Sequence, residues 1–171
     1  MINVIVTAVV LTVNFIIQST VLQLAEIRGV IPNTMIIIVV SYALLRGQTA
    51  GMITGFAAGF IYDIFFGSSL GFYALMGLLI GYFCGICHKN FYRENFVLPV
   101  TLSALSCFVE GVIIYITGFF LKNKYNVFYF LFNAIIPQAV YTGVVAVLVY
   151  KLLYGINNRV EKKERERRRL F

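Results

Sequence analysis

The chain alternates long apolar runs with short polar breaks, and no break is long enough to hold a soluble layer. Residues 2–22 form the first run. It has no basic residue before it and no small-x-small cleavage site after it, so we read a retained helix, not a signal peptide. Gln23 to Gly29, with Glu26 and Arg28, breaks the pattern before Pro32, which suits the first turn of a short second helix over 31–45, ended by Arg46. A third run covers 47–66, Gly67-Ser68-Ser69 makes a turn, and a fourth run covers 70–87. Beyond a loop at 88–95, a fifth run over 96–121 contains Pro99 and Glu110; beyond a polar loop at 122–126, a sixth over 127–154 contains Pro137. A bilayer crossing takes about 20 apolar residues. The pattern therefore predicts an all-α integral membrane protein, with six transmembrane helices in one bundle over 1–155 and a tail over 156–171.

Composition agrees. Of 171 residues, 60% are hydrophobic and 12% charged, against roughly 45–50% and 25% in soluble domains. The charges also cluster: residues 159–171 carry ten of the 21. Basic residues beside spans stay cytoplasmic. With both ends inside, the inner set is Arg46, Lys89, Arg93, Lys151 and the seven basic residues of the tail, leaving Arg28, Lys122 and Lys124 outside. Eleven against three sets both termini in the cytoplasm, with the Lys122/Lys124 loop as a local violation.

Glycine recurs every fourth residue at Gly47, Gly51, Gly55 and Gly59, and a second row, Gly77, Gly81 and Gly85, lies on the fourth run. Between membrane helices apolar burial drives little, so small residues mark places where backbones approach closely, within the chain or against a partner helix. Asp63 and Glu110 are the acids well inside spans, and such groups face a bundle interior because hydrocarbon penalises charge. Asn14, Gln18, Asn133 and Gln138 fall at a similar depth. Six polar groups on the outer half of a bundle make either a hydrogen-bonded network that fixes helix register or a polar cavity open to the outside.

Cys84-Gly85-Ile86-Cys87-His88 matches the C-x-x-C-H pattern of covalent haem attachment. Its loop carries Lys89 and Arg93 and falls on the inner side, so two small apolar residues and an interfacial histidine are the expected reading, with no cofactor. One histidine, no Ser-His-Asp set, no phosphate loop and no HExxH leave no candidate enzyme chemistry. The tail residues Arg159, Lys162, Lys163, Arg165, Arg167, Arg168 and Arg169 outweigh three glutamates. Such a segment binds anionic lipid or docks a cytoplasmic partner. Nothing points to nucleic acid.

Pro32-Asn33, then Arg46-Gly47, Gly51, Gly55-Phe56, Gly59 and Asp63, followed by Leu70-Gly71-Phe72-Tyr73-Ala74-Leu75 and Gly81-Tyr82, resemble the rod shape-determining protein MreD family. Length, span layout, Pro137 and the basic tail extend the resemblance over nearly the whole chain; the cysteine pair and Glu110 depart from it. The resemblance implies a non-enzymatic bacterial inner-membrane component of the cell-elongation machinery. It further implies association with the bitopic protein MreC and, indirectly, with the MreB filament and peptidoglycan synthases; a homo-oligomer stays open. The fold implied is like the substrate-binding subunits of energy-coupling-factor transporters, which makes a small-molecule-binding subunit the alternative. Against that, Ala8 is followed four residues later by Thr12, where those subunits carry Ala-x-x-x-Ala.

Overall fold

The apolar runs are helices. The computed structural model of the protein describes residues 2–24, 26, 29–66, 71–90, 96–122 and 130–169, with side chains apart from those of 2–5, 21–24, 89–90, 118–122 and 161–169. These residues hold six α-helices: α1 (Ile2–Leu24), α2 (Thr34–Arg46), α3 (Gln48–Phe66), α4 (Phe72–Ile86), α5 (Val97–Lys122) and α6 (Ile136–Arg169). A 3-10 turn, Cys87–Asn90, follows α4, and a π-turn, Leu131–Ile135, leads into α6. In that turn the Ile136 N–H reaches back to the Leu131 carbonyl. Pro137 explains the widening, because it has no N–H for the Asn133 carbonyl and its ring would collide there.

The second helix is the centre of the bundle. Of its 13 residues, all but Arg46 are buried, and the other five helices pack around it. Met35, Ile38, Val39 and Tyr42 join Leu11 and Ala58 in one core cluster, while Ile36, Val40, Ala43 and Leu44 join Cys84 and Cys107 in another. Pro32 does not open this helix, contrary to the expectation from sequence. It is buried in the non-helical stretch before Asn33, the N-cap, whose Oδ1 accepts the Ile36 N–H.

The contacts fix helix direction. Asn33 and Arg46, at opposite ends of α2, meet Thr142 and Asn157 on α6, so those two helices run parallel. Gly51 faces Gly81, and Gly55 faces Gly77, so α3 and α4 run antiparallel. Thr34 meets Gln18, and Tyr42 and Arg46 line a groove with Thr7 and Ala8, so α1 opposes α2. Helices α1, α3 and α5 thus point one way and α2, α4 and α6 the other, which puts the start of α1 and the end of α6 at the same side.

Among the described residues, three stretches are long and apolar enough to cross a membrane: Gln48–Phe66, Val97–Thr117 and Leu131–Val160. The helices α2 and α4 are shorter, 13 and 15 residues, which is about 20 and 22 Å at 1.5 Å per residue against a hydrocarbon core of about 30 Å. Central burial accounts for α2, since its ends meet protein and not lipid. Outward, the bundle shows large apolar side chains such as Ile53, Phe60, Phe83, Leu105, Val144 and Leu148, a surface suited to lipid.

The closest seam joins α3 to α4. A methyl on Gly51 would stand 2.6 Å from both the Ala43 Cβ and the Gly81 carbonyl oxygen. One on Gly55 would overlap the Gly77 carbonyl, one on Gly59 the Tyr73 carbonyl, and one on Gly85 the Gln48 backbone. Two backbones in direct contact gain dispersion along their whole length, which only glycine permits. Gly47 is the exception to the row: it ends α2 with φ +91° and faces the His88 ring, not α4. Its spacing matches the ridge, but its role is the positive-φ turn into α3. Gly55→Ala should lower stability by more than about 2 kcal/mol through overpacking. Gly155→Ala, where a methyl meets nothing within 4 Å, should be neutral or stabilise by up to about 1 kcal/mol. Denaturation of both variants in detergent checks this, and equal effects would contradict it.

Candidate functional site

Helix ends in a low-dielectric interior leave unpaired N–H and C=O groups, and the polar side chains of this chain gather where those groups need partners. At the N-terminal end of α2, Asn33 serves three contacts. Its Oδ1 caps the helix, its Nδ2 donates to Glu110 Oε2 at 2.9 Å, and its backbone N–H donates to Thr142 Oγ1 at 3.1 Å. Around it, Thr34 Oγ1 donates to Gln18 Oε1 at 2.7 Å and Gln138 Nε2 donates to the Ile31 carbonyl at 3.3 Å. The Cys107 thiol lies 3.5 Å from Thr142 Oγ1. Four helices, α1, α2, α5 and α6, are joined by this belt.

Of the six polar residues expected to converge, Gln18, Glu110 and Gln138 belong to the belt. Asn14 is buried, and its Nδ2 has no partner among the described residues. Asn133 is exposed, because it sits in the π-turn whose widened register rotates it outward. Asp63 stands apart with a different task. Its carboxylate accepts from the N–H groups of Gly71 (3.0 Å), Tyr73 (3.1 Å) and Ala74 (2.9 Å), the start of α4. Gly71, the N-cap, has φ +96° and no side chain to cap with, so the acid at the end of α3 caps α4 instead. Three donors and the positive end of the helix dipole offset the burial of a carboxylate that is 1% exposed.

The opposite end of α2 is held in the same manner. His88 Nδ1 lies 2.6 Å from the Leu44 carbonyl, so the Nδ1–H tautomer caps the C-terminus while the ring covers Gly47. Arg46 Nε donates to Asn157 Oδ1 at 2.8 Å, and its guanidinium lies 5.1 Å from the centre of the Tyr42 ring. Within the C-x-x-C-H pattern, Cys84 is buried with its sulfur 3.6 Å from Ser106 Oγ, and His88 is a helix cap. Among the described residues no group of three metal-ligating side chains occurs.

Between α2, α3 and α4 lies a cavity of about 30 Å³ whose lining includes Asn33, Tyr62, Tyr73 and Glu110. That volume admits about two waters. Arg28, Arg93, Lys124 and the Gly67-Ser68-Ser69 turn lie outside the described residues. So do the side chains of Lys89, Lys122, Lys162, Lys163, Arg165, Arg167, Arg168 and Arg169; Arg159 is exposed, and the backbone of α6 runs unbroken to Arg169. Sequence reasoning missed Thr34, Thr142 and Asn157, whose role depends on which helix face meets α2. His88 it placed at an interface without a partner.

A helical bundle with helices apolar and long enough to cross a membrane, a buried central helix and polar groups spent on helix ends defines the class of helical membrane proteins. Over residues 1–160 the chain matches the family model described as rod shape-determining protein MreD, and it belongs to that family. Neither the curated proteins nor the solved structures provided a match. Membership gives the chain a role in cell shape, in a family of shape-determining membrane proteins.

Asp63→Ala should strip three N–H groups of their acceptor and cost about 2–4 kcal/mol. Asp63→Asn, which keeps one acceptor oxygen, should cost less, and His88→Ala about 1 kcal/mol. Unfolding of the purified protein in detergent measures all three; an Asp63→Ala variant as stable as the parent would remove the cap from the account.

Proposed function

We propose that the chain is a non-enzymatic membrane scaffold of the cell-elongation complex, which binds an MreC-like bitopic protein and through it organises the MreB filament and peptidoglycan synthesis. The observation that carries this reading is the family match over residues 1–160. Further support comes from the use of the buried polar groups, which hold helix ends and helix register in the manner of a rigid support.

In this reading the six helices cross alternately and both termini are cytoplasmic. Alternating helix direction and the basic residues Arg46, Lys151 and Arg159 at one end favour that orientation. The continuation of α6 would then carry its basic residues along the inner leaflet, where each contributes about 1 kcal/mol toward anionic lipid. A ligand-binding transporter subunit is not favoured. The family matched over residues 1–160 is described as shape-determining.

Purification of the tagged chain from its native membranes in mild detergent, with mass spectrometry of what accompanies it, tests the proposal. The expected companions are an MreC-like protein and cell-wall synthases. Paired ATPases with a membrane coupling subunit would replace the scaffold with a transporter.

A further inference from the structure

Helices α4 and α5 leave a gap between them. Met76, Leu79 and Phe83 on α4 and Leu105, Val109 and Ile113 on α5 line a groove of about 330 Å³. These positions follow helical spacing, so the groove runs along both helices. From Leu102 to Ile113, eleven residues at about 1.5 Å each give roughly 16 Å, three turns of a helix. Its rim is exposed: Leu79, Phe83, Leu105 and Val109 range from 38% to 61% accessible.

Two polar side chains break this apolar surface: Ser106, whose Oγ lies 3.6 Å from Cys84 Sγ, and Glu110. Glu110 is 8% exposed and lines both the interior cavity and the groove. Among the described residues its hydrogen bond is the one from Asn33 to Oε2, which leaves Oε1 to accept another. A buried carboxyl beside an apolar groove is costly unless a donor meets it. Glu110 lies 13 residues into the 26-residue α5, near the middle of the helix. At that depth lipid tails offer no N–H or O–H, and lipid headgroups lie some 15–20 Å away along the helix. A helix from another protein can bring a donor there, because its backbone is satisfied internally and its side chain is free to point at the acid.

We infer that the groove between α4 and α5 is the seat of a partner's transmembrane helix, which lies along both helices and presents a side-chain hydrogen-bond donor to Glu110. The inference rests on the scaffold reading and assigns its membrane contact. Shape and chemistry agree on one occupant: the groove supplies the apolar wall for two to three turns, and the acid sets register and selects a helix with a polar residue at that level.

A photo-crosslinking residue placed at Leu79 or Leu105, with Val144 and Leu148 on the exposed face of α6 as controls, tests this in native membranes. Adducts at Leu79 and Leu105 that map to the transmembrane segment of the copurifying partner are expected, with none at the controls. Leu105→Trp, which fills the groove from its rim, should cut partner recovery about tenfold with an unchanged melting point. A partner that copurifies but crosslinks at Val144 and Leu148, or groove adducts to lipid or a second copy alone, would overturn the groove and leave the scaffold standing. With no partner recovered at all, both fall.

Discussion

A helix buried on every side has two ends with nowhere to hide, and the bundle is arranged around that constraint. Twelve of the 13 residues of α2 are buried, so the free N–H groups at one end and carbonyls at the other find little water or lipid headgroup to turn to. Asn33 caps the first end and is itself held by Glu110 and Thr142; His88 caps the second, beside Arg46 and Asn157. Each of these bonds ties α2 to another element. Satisfying the centre therefore also sets the register of α5, of α6 and of the turn after α4, while Thr34 and Gln18 do the same for α1.

The seam between α3 and α4 solves a second problem by different means. There the backbones touch, and the glycines exist to let them. Asp63 completes the pair by capping α4 from α3, so that packing and end-satisfaction fall on the same two helices. The arrangement gives a stiff body whose polar groups are mostly committed inward, a property suited to a protein that positions others in the membrane.

Periodicity along the chain exposed the six helices, the glycine row and the two intramembrane acids, because each depends on spacing within one segment. Pairings between segments stayed hidden. That Asp63 serves a helix starting nine residues later is legible only once Gly71 is recognised as an N-cap without a side chain. Gly47 obeyed the row's spacing yet belongs to a turn, and Asn133 shared the depth of the polar belt yet points outward from the π-turn before Pro137. Asn33 entered through family resemblance, not chemistry; its threefold use arises from the meeting of α2, α5 and α6, which no local pattern records. The histidine of the C-x-x-C-H pattern was legible as interfacial, while its partner, the Leu44 carbonyl at the end of α2, lies beyond any local spacing.

The most direct test of the central claim is a double-mutant cycle on Asn33→Ala and Glu110→Ala, with stability measured by denaturation of the protein in lipid–detergent bicelles. If the N-terminal end of α2 is held as described, the two changes remove one shared interaction. The double variant should then be less destabilised than the sum of the singles by about 1 kcal/mol or more. Additive effects would contradict the account, because they would mean that the central helix keeps its place without the bond that joins it to α5.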